Sequence, residues 1–146
     1  MVTANTLPTS YVIAEMLIEN LASGTLPSAN AANPVFINHE PDKPDTCIVV
    51  YDTPGIEESR GMQGDRVTHN GIRVRVRSKN YLTAWQLINS INTAFAGIAN
   101  EAVIVNTYTY TVNTITSTSA IVTLGPTGQR ILNKFTKNFI VSMTNR

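Results

Sequence analysis

Residues 72–77 read Ile-Arg-Val-Arg-Val-Arg, a strict alternation of β-branched and cationic side chains. Only an extended chain sends successive side chains to opposite faces. The run therefore predicts a strand with Ile72, Val74 and Val76 on a core and Arg73, Arg75 and Arg77 on the other side. A helix would scatter the arginines around its circumference. A second strand is predicted over 47–51, where Cys47, Ile48, Val49, Val50 and Tyr51 form a continuous apolar run suited to burial on both faces. Between the two lies 56–70, a charged, glycine-spaced segment that reads as a long mobile loop, with Asp52-Thr53-Pro54-Gly55 as one turn and Asn70-Gly71 as another.

Two helices flank this pair. Ser10 can cap the first, in which Tyr11, Ala14, Leu17, Ile18 and Leu21 recur at helical spacing and which Gly24 can end. Asn80 can cap the second, with Tyr81, Ala84, Trp85, Ile88, Ile91, Phe95 and Ile98 along one stripe, so that Trp85 is expected in the core. Residues 25–34 are small and proline-bounded and read as a loop, with a short strand over 35–38 beyond it. From 102 to 124 the sequence is dominated by Thr, Val, Ile and Tyr and predicts two or three strands, with Asn113 and Ser117 as candidate turns. Gly125-Pro126-Thr127-Gly128 breaks the chain. A final strand then carries Phe135, Lys137, Phe139, Val141 and Met143 on one side. Two helices against a mainly antiparallel β-sheet predict an α+β fold, and a length of 146 residues predicts a single domain over 1–146.

Charge is distributed unevenly. Eleven basic and ten acidic side chains nearly cancel, which gives no field to recruit nucleic acid or an anionic membrane by itself. Residues 80–129 hold one charged side chain, Glu101, and residues 1–38 hold two, Glu15 and Glu19. Uncharged surface rich in Thr, Asn and Ser suits solvent, and charge depletion is equally the mark of surface that another subunit covers. The single Cys47 has no partner for an internal disulfide and reads as a buried, inert thiol. No apolar run approaches the roughly 20 residues that span a bilayer, and no basic leader precedes an apolar stretch, so the reading is a soluble protein made in a cytoplasm.

Residues 48–55 look like the strand and D-x-x-G turn of GTP-hydrolysing switches, and Asn133-Lys134 is similar to the guanine-reading N-K-x-D. No G-x-x-x-x-G-K-[ST] cradle for the phosphates is present, however, and Thr136 stands where the second motif needs a carboxylate. Asp52 to Gly55 is therefore read as a structural turn. His39, Glu40, Asp42 and Asp45 could crowd oxygen ligands around an ion, but no ligand spacing is present and a solvated loop is expected. No Ser/His/Asp, Cys/His or paired-carboxylate spacing supports catalysis. The reading is a non-enzyme without cofactor or metal. The arginine face admits three uses: solvated or internally paired, a subunit interface, or contact with phosphates.

The order of these segments resembles the tail terminator proteins of long-tailed bacteriophages, which include minor capsid and head–tail joining proteins. The resemblance rests on an N-terminal helix, then Pro41-Asp42-Lys43-Pro44-Asp45 leading into 47–52 and the turn Pro54-Gly55. A variable loop, the strand 72–77, the helix 81–98, Leu124-Gly125-Pro126-Thr127-Gly128-Gln129-Arg130 and Asn138-Phe139-Ile140-Val141 complete it. It covers about residues 10–143, and the Thr-rich run 108–118 departs from the pattern. The resemblance implies a virion protein assembled in the host cytoplasm. It would form a homo-oligomeric, hexameric ring on the head-proximal end of the tail tube, stop tube polymerisation and present a surface to the head connector. DNA would pass through without sequence-specific binding. The implied partners are further copies of the chain, the tail tube protein and a connector or stopper protein, with no membrane. Candidate interface residues are Glu57, Glu58, Arg60, Asp65 and Arg66 in the loop and Arg73, Arg75 and Arg77 on the strand. The alternatives are another connector component, such as a head completion or stopper protein, and a nucleotide-binding domain.

Overall fold

The alternating run does form a strand, and it extends well beyond the six residues that display the period. In a computed structural model, residues 7–20, 34–42, 45–60, 66–105, 108–124 and 132–145 are described, with the side chains of 19, 20, 56–60, 66–68, 108 and 145 excepted. The elements are α1 (Thr9–Asn20), β1 (Val35–Ile37), β2 (Cys47–Arg60), β3 (Arg66–Ser78), α2 (Tyr81–Ala96), β4 (Glu101–Val105), β5 (Tyr108–Ser117), β6 (Val122–Thr123) and β7 (Asn133–Asn145). They make one sheet of order β1-β2-β3-β7-β5-β4, with β6 paired to β7. β3 lies in the middle, antiparallel to β2 on one side and to β7 on the other.

This arrangement corrects the expected fold class. About twice as many residues lie in strands as in helices, and the sheet is mixed, because β1 pairs parallel with β2. The expectation of an α+β fold with a mainly antiparallel sheet underweights the strands, because the charged segment 56–70 has the composition of a loop. Instead, 56–60 prolongs β2 and 66–70 prolongs β3, and β7 pairs along 66–70 as well. A strand with a partner on each side satisfies its backbone groups whatever its side chains, so local composition is a poor guide there. Residues 61–65 lie outside the described residues, as do Gly24, 25–33 and 125–131.

Neither expected turn forms. Asp52 to Gly55 and Asn70-Gly71 sit opposite one another within the β2–β3 ladder, whose register shifts between Thr53 and Ile56 and again between Ile56 and Ser59. A bulge needs close backbone approach, and the glycines supply it. A Cβ on Gly55 would collide with the His69 carbonyl and lie 2.8 Å from Asn70 Cα, and one on Gly71 would collide with Thr53 Oγ1. Asn113, also read as a turn, marks a second bulge, where β5 shifts register on β7 between Val112 and Thr114.

Both helices pack on the face that carries Ile48, Val50, Ile72, Val74, Val76, Phe135 and Phe139, all buried. α1 touches β1, β2 and β3 and also β4 at the far end of the strand order, so the sheet curls around it. Val12, Ile13, Ala14, Met16 and Leu17 are accordingly all buried, where the spacing predicted a single stripe. Ahead of the helix, the Leu7 N–H donates to the Tyr110 hydroxyl on β5 at 3.2 Å. α2 packs on β3, β7 and β5 through Ala84, Ile88, Ile91 and Phe95. Its cap is as expected: Asn80 Oδ1 accepts from the N–H groups of Leu82 (2.9 Å) and Thr83 (3.3 Å).

Trp85 is not a core residue. At about 100° per residue it lies roughly 90° from the centre of the buried stripe, 37 % exposed, with its ring edge-on to Phe135 at 5.7 Å. Tyr81, 55 % exposed, meets the same ring at 5.3 Å. Lys137 projects from β7 on the core face between Phe135 and Phe139. It is buried, with its Nζ 5.8 Å from the centre of the Phe139 ring.

Candidate functional site

The face of the sheet away from the helices divides into two halves. Over β2, β3 and the first half of β7 it is cationic. The alternation places Arg73, Arg75 and Arg77 there, and their cross-strand partners on β7 are Asn138, Thr136 and Lys134. β1 and β2 are parallel, so the chain must cross back over the sheet between them, and this crossing lays Glu40 on the arginines. One Glu40 oxygen accepts from Arg75 Nη1 at 3.2 Å, and the other meets Arg77 Nη1 and Lys134 Nζ, each at 3.2 Å. Burial raises the Glu40 pKa, but the hydrogen bonds and charges of Lys134 and Arg75 outweigh it, and the net position is below the usual 4.5.

The cations are held by other groups as well. Arg77 is buried and its Nε donates to the Asp45 carbonyl at 3.2 Å. The Arg75 guanidinium lies 5.3 Å from the centre of the Tyr51 ring. Arg73 Nε donates to Asn138 Oδ1 at 2.9 Å, with its side chain exposed. Lys79 reaches Asp45 at 3.0 Å from an exposed position, a pair worth little. Cys47 is sealed beneath this segment, and burial pushes its thiol up to about 11, so it is unreactive at neutral pH.

The second half, over β4, β5 and the remainder of β7, carries no charge among the described side chains. Cross-strand register lines up Ile104 with Thr109, Ala102 with Thr111 and Thr144, Thr114 with Ser142, and Thr116 with Ile140. Ile104 is 60 % exposed, and Ala102, Thr109, Thr114 and Thr116 are exposed too. Across the molecule, α2 presents a second uncharged surface. None of its sixteen residues is Asp, Glu, Lys or Arg, and Leu82, Thr83, Gln86, Ser90 and Thr93 are exposed along its outer side.

Asp52 has a structural task. Its Oδ1 accepts from the Ser10 N–H at 3.0 Å, and its Oδ2 accepts from Ser10 Oγ at 2.7 Å and Asn38 Nδ2 at 3.0 Å. Its own N–H donates to Asn38 Oδ1 at 3.0 Å. Asn38 holds a positive φ of 54° there, which Asn tolerates better than most residues. Ser10 is therefore not the cap that the sequence suggested. It lies within the first turn of α1, and a carboxylate from β2 takes the positive end of the helix in its place. An Asp so engaged, in a bulge whose Gly55 is pressed against β3, is a clamp between α1 and the sheet rather than half of a magnesium site.

The sequence-derived site residues separate. Arg73, Arg75 and Arg77 share the cationic half. Glu57, Glu58 and Arg60 lie on the outer part of β2, and Arg66 on the facing part of β3, opposite Arg60 in register. The side chains of these four lie outside the described ones, and Asp65 lies outside the described residues altogether. Glu40 is turned to the arginines instead of joining His39, Asp42 and Asp45. Among the described residues no group of three or more His, Cys, Asp or Glu side chains could hold a metal ion. No local pattern marks Glu40 as the counter-charge, since the crossing that delivers it follows from the parallel β1–β2 pairing.

A family model described as "Bacteriophage tail terminator protein" matches residues 17–130, from the middle of α1 to the segment before β7. No curated protein matches the chain.

Proposed function

The chain belongs to the bacteriophage tail terminator proteins, structural components of the phage tail, and on that premise we propose that it assembles as a ring of six copies on the head-proximal end of the tail tube. There it stops tube polymerisation and offers its free side to the head connector, while DNA passes through without sequence-specific contact. The observation that carries this reading beyond the family is the pair of uncharged surfaces, on α2 and on β4–β5, that lie on opposite sides of one subunit. A ring requires two different faces per copy, and a contact that must bury them is favoured where no charge has to be desolvated.

Deleting the chain from the phage that encodes it tests the reading through electron micrographs of the tails. The expected outcome is tails of uneven, excessive length that do not join heads. Tails of normal length that merely fail to join would instead favour a stopper or head-completion component. Normal tails on normal virions would refute both.

A further inference from the structure

We propose that the Thr-rich strand β5, with the β4 edge beside it, is the surface on which helix α2 of the next copy sits. The inference rests on the ring reading above and names the contact within it.

Surface strands and helices of a free-standing protein normally carry charge on their solvent side. Here α2 and the outer face of β4–β5 both lack it, although the chain has twenty-one charged side chains to distribute. The α2 surface begins with Leu82, 58 % exposed, flanked by Tyr81 and Trp85, the residue types that anchor interface cores. The β4–β5 surface offers Ile104 and Ala102 amid threonines, whose hydroxyls can meet the Gln86, Ser90 and Thr93 side chains along the helix.

The occupant follows from charge and placement. A charged partner pressed on either surface would leave its charge buried and unpaired, which is costly. The matching neutral surface is supplied by the chain itself. α2 packs on β5 from the core side, so its outer surface and the outer face of β5 look in opposite directions from the same strand. Two different faces on opposite flanks give a heterologous contact, each copy donating α2 to one neighbour and receiving α2 from the other. The cationic half does not match a neutral helix in this way: its charges are answered by the chain's own Glu40 and Asn138.

The test is thiol cross-linking in tails purified from infected cells. Cys47 is buried, so the native chain contributes no reactive thiol. Two double variants, L82C with T114C and S90C with I104C, sample two registers of helix on sheet, and the four single variants are controls. With a short bismaleimide, at least one double variant is expected to give a ladder beyond the dimer on a denaturing gel, while every single variant stays monomeric. Dimers from any single variant would show a like-on-like contact and overturn the proposal. So would monomers from both double variants in tails whose native mass retains a multi-copy ring, in which case the ring reading survives and the contact lies elsewhere. Absence of any multi-copy species from native-chain tails would refute the ring reading and this contact together.

Discussion

The two halves of the outer sheet face share a ladder and differ in what closes them. Over β2, β3 and the start of β7 the chain returns on itself, and Glu40 answers Arg75, Arg77 and Lys134. Over β4 and β5 nothing described crosses the sheet, and the side chains left outward are Thr, Ser, Ala and Ile. Charge thus marks the half whose counter-ion the chain itself supplies, and its absence marks the half that the proposed ring assigns to a neighbour.

Breaking the closed half gives the largest effect. Glu40→Ala leaves Arg77 and Lys134 facing one another without their carboxylate, and chemical denaturation should show a loss of about 3 kcal/mol. The same group sets an acid limit. Its pKa is lowered in the folded chain, so its contribution is complete above the unfolded value of 4.5 and fades as pH falls through the lower folded value. Stability measured from pH 6 downward should therefore fall less steeply in Glu40→Gln than in the native chain. An unchanged slope would mean that Glu40 does not hold the cluster.

Deeper in the cationic half the sign should reverse. Arg75 Nε and Thr136 Oγ1, cross-strand neighbours, are buried without a hydrogen-bond partner. Thr136→Val removes one unmet polar atom with little change of shape, and thermal unfolding should show a gain of about 1 kcal/mol. A loss of the same size would reveal a partner for the hydroxyl.

In the open half a charge should be nearly silent for folding. Thr116 is exposed and touches no ion pair, so Thr116→Lys should leave stability within about 0.5 kcal/mol, yet abolish capping of tails. Variant tails of normal length and normal joining would contradict the assignment of this half to a neighbour.

How much of this was legible beforehand depended on whether the cause was local. The alternation at 72–77, the Asn80 cap and the short strand β1 are set by nearby residues, and the structure has them as the sequence implied. The β2–β3 arm was missed because Glu57, Glu58 and Arg66 look like loop until β7 is known to pair alongside. Ser10 looked like a cap because the true one, Asp52, comes from a strand 42 residues away. Trp85 looked buried because periodicity gives an angle around the helix and not the width of the sheet beneath it. The arginine face was legible as a face, and its partner was not. The nearly uncharged stretch 80–129 is visible from composition alone, but solvent and a second copy explain it equally well until β5 and α2 are seen to look in opposite directions.

The most direct measurement is hydroxyl-radical footprinting of side chains in the free chain and in assembled tails. Leu82, Trp85 and Ile104 are exposed and reactive in the free subunit. The account predicts that all three lose most of their labelling in tails, while Tyr51, at the cationic half beside Arg75, changes little. Undiminished labelling of Leu82, Trp85 and Ile104 in tails, with Tyr51 protected, would contradict it and return the interface to the arginines.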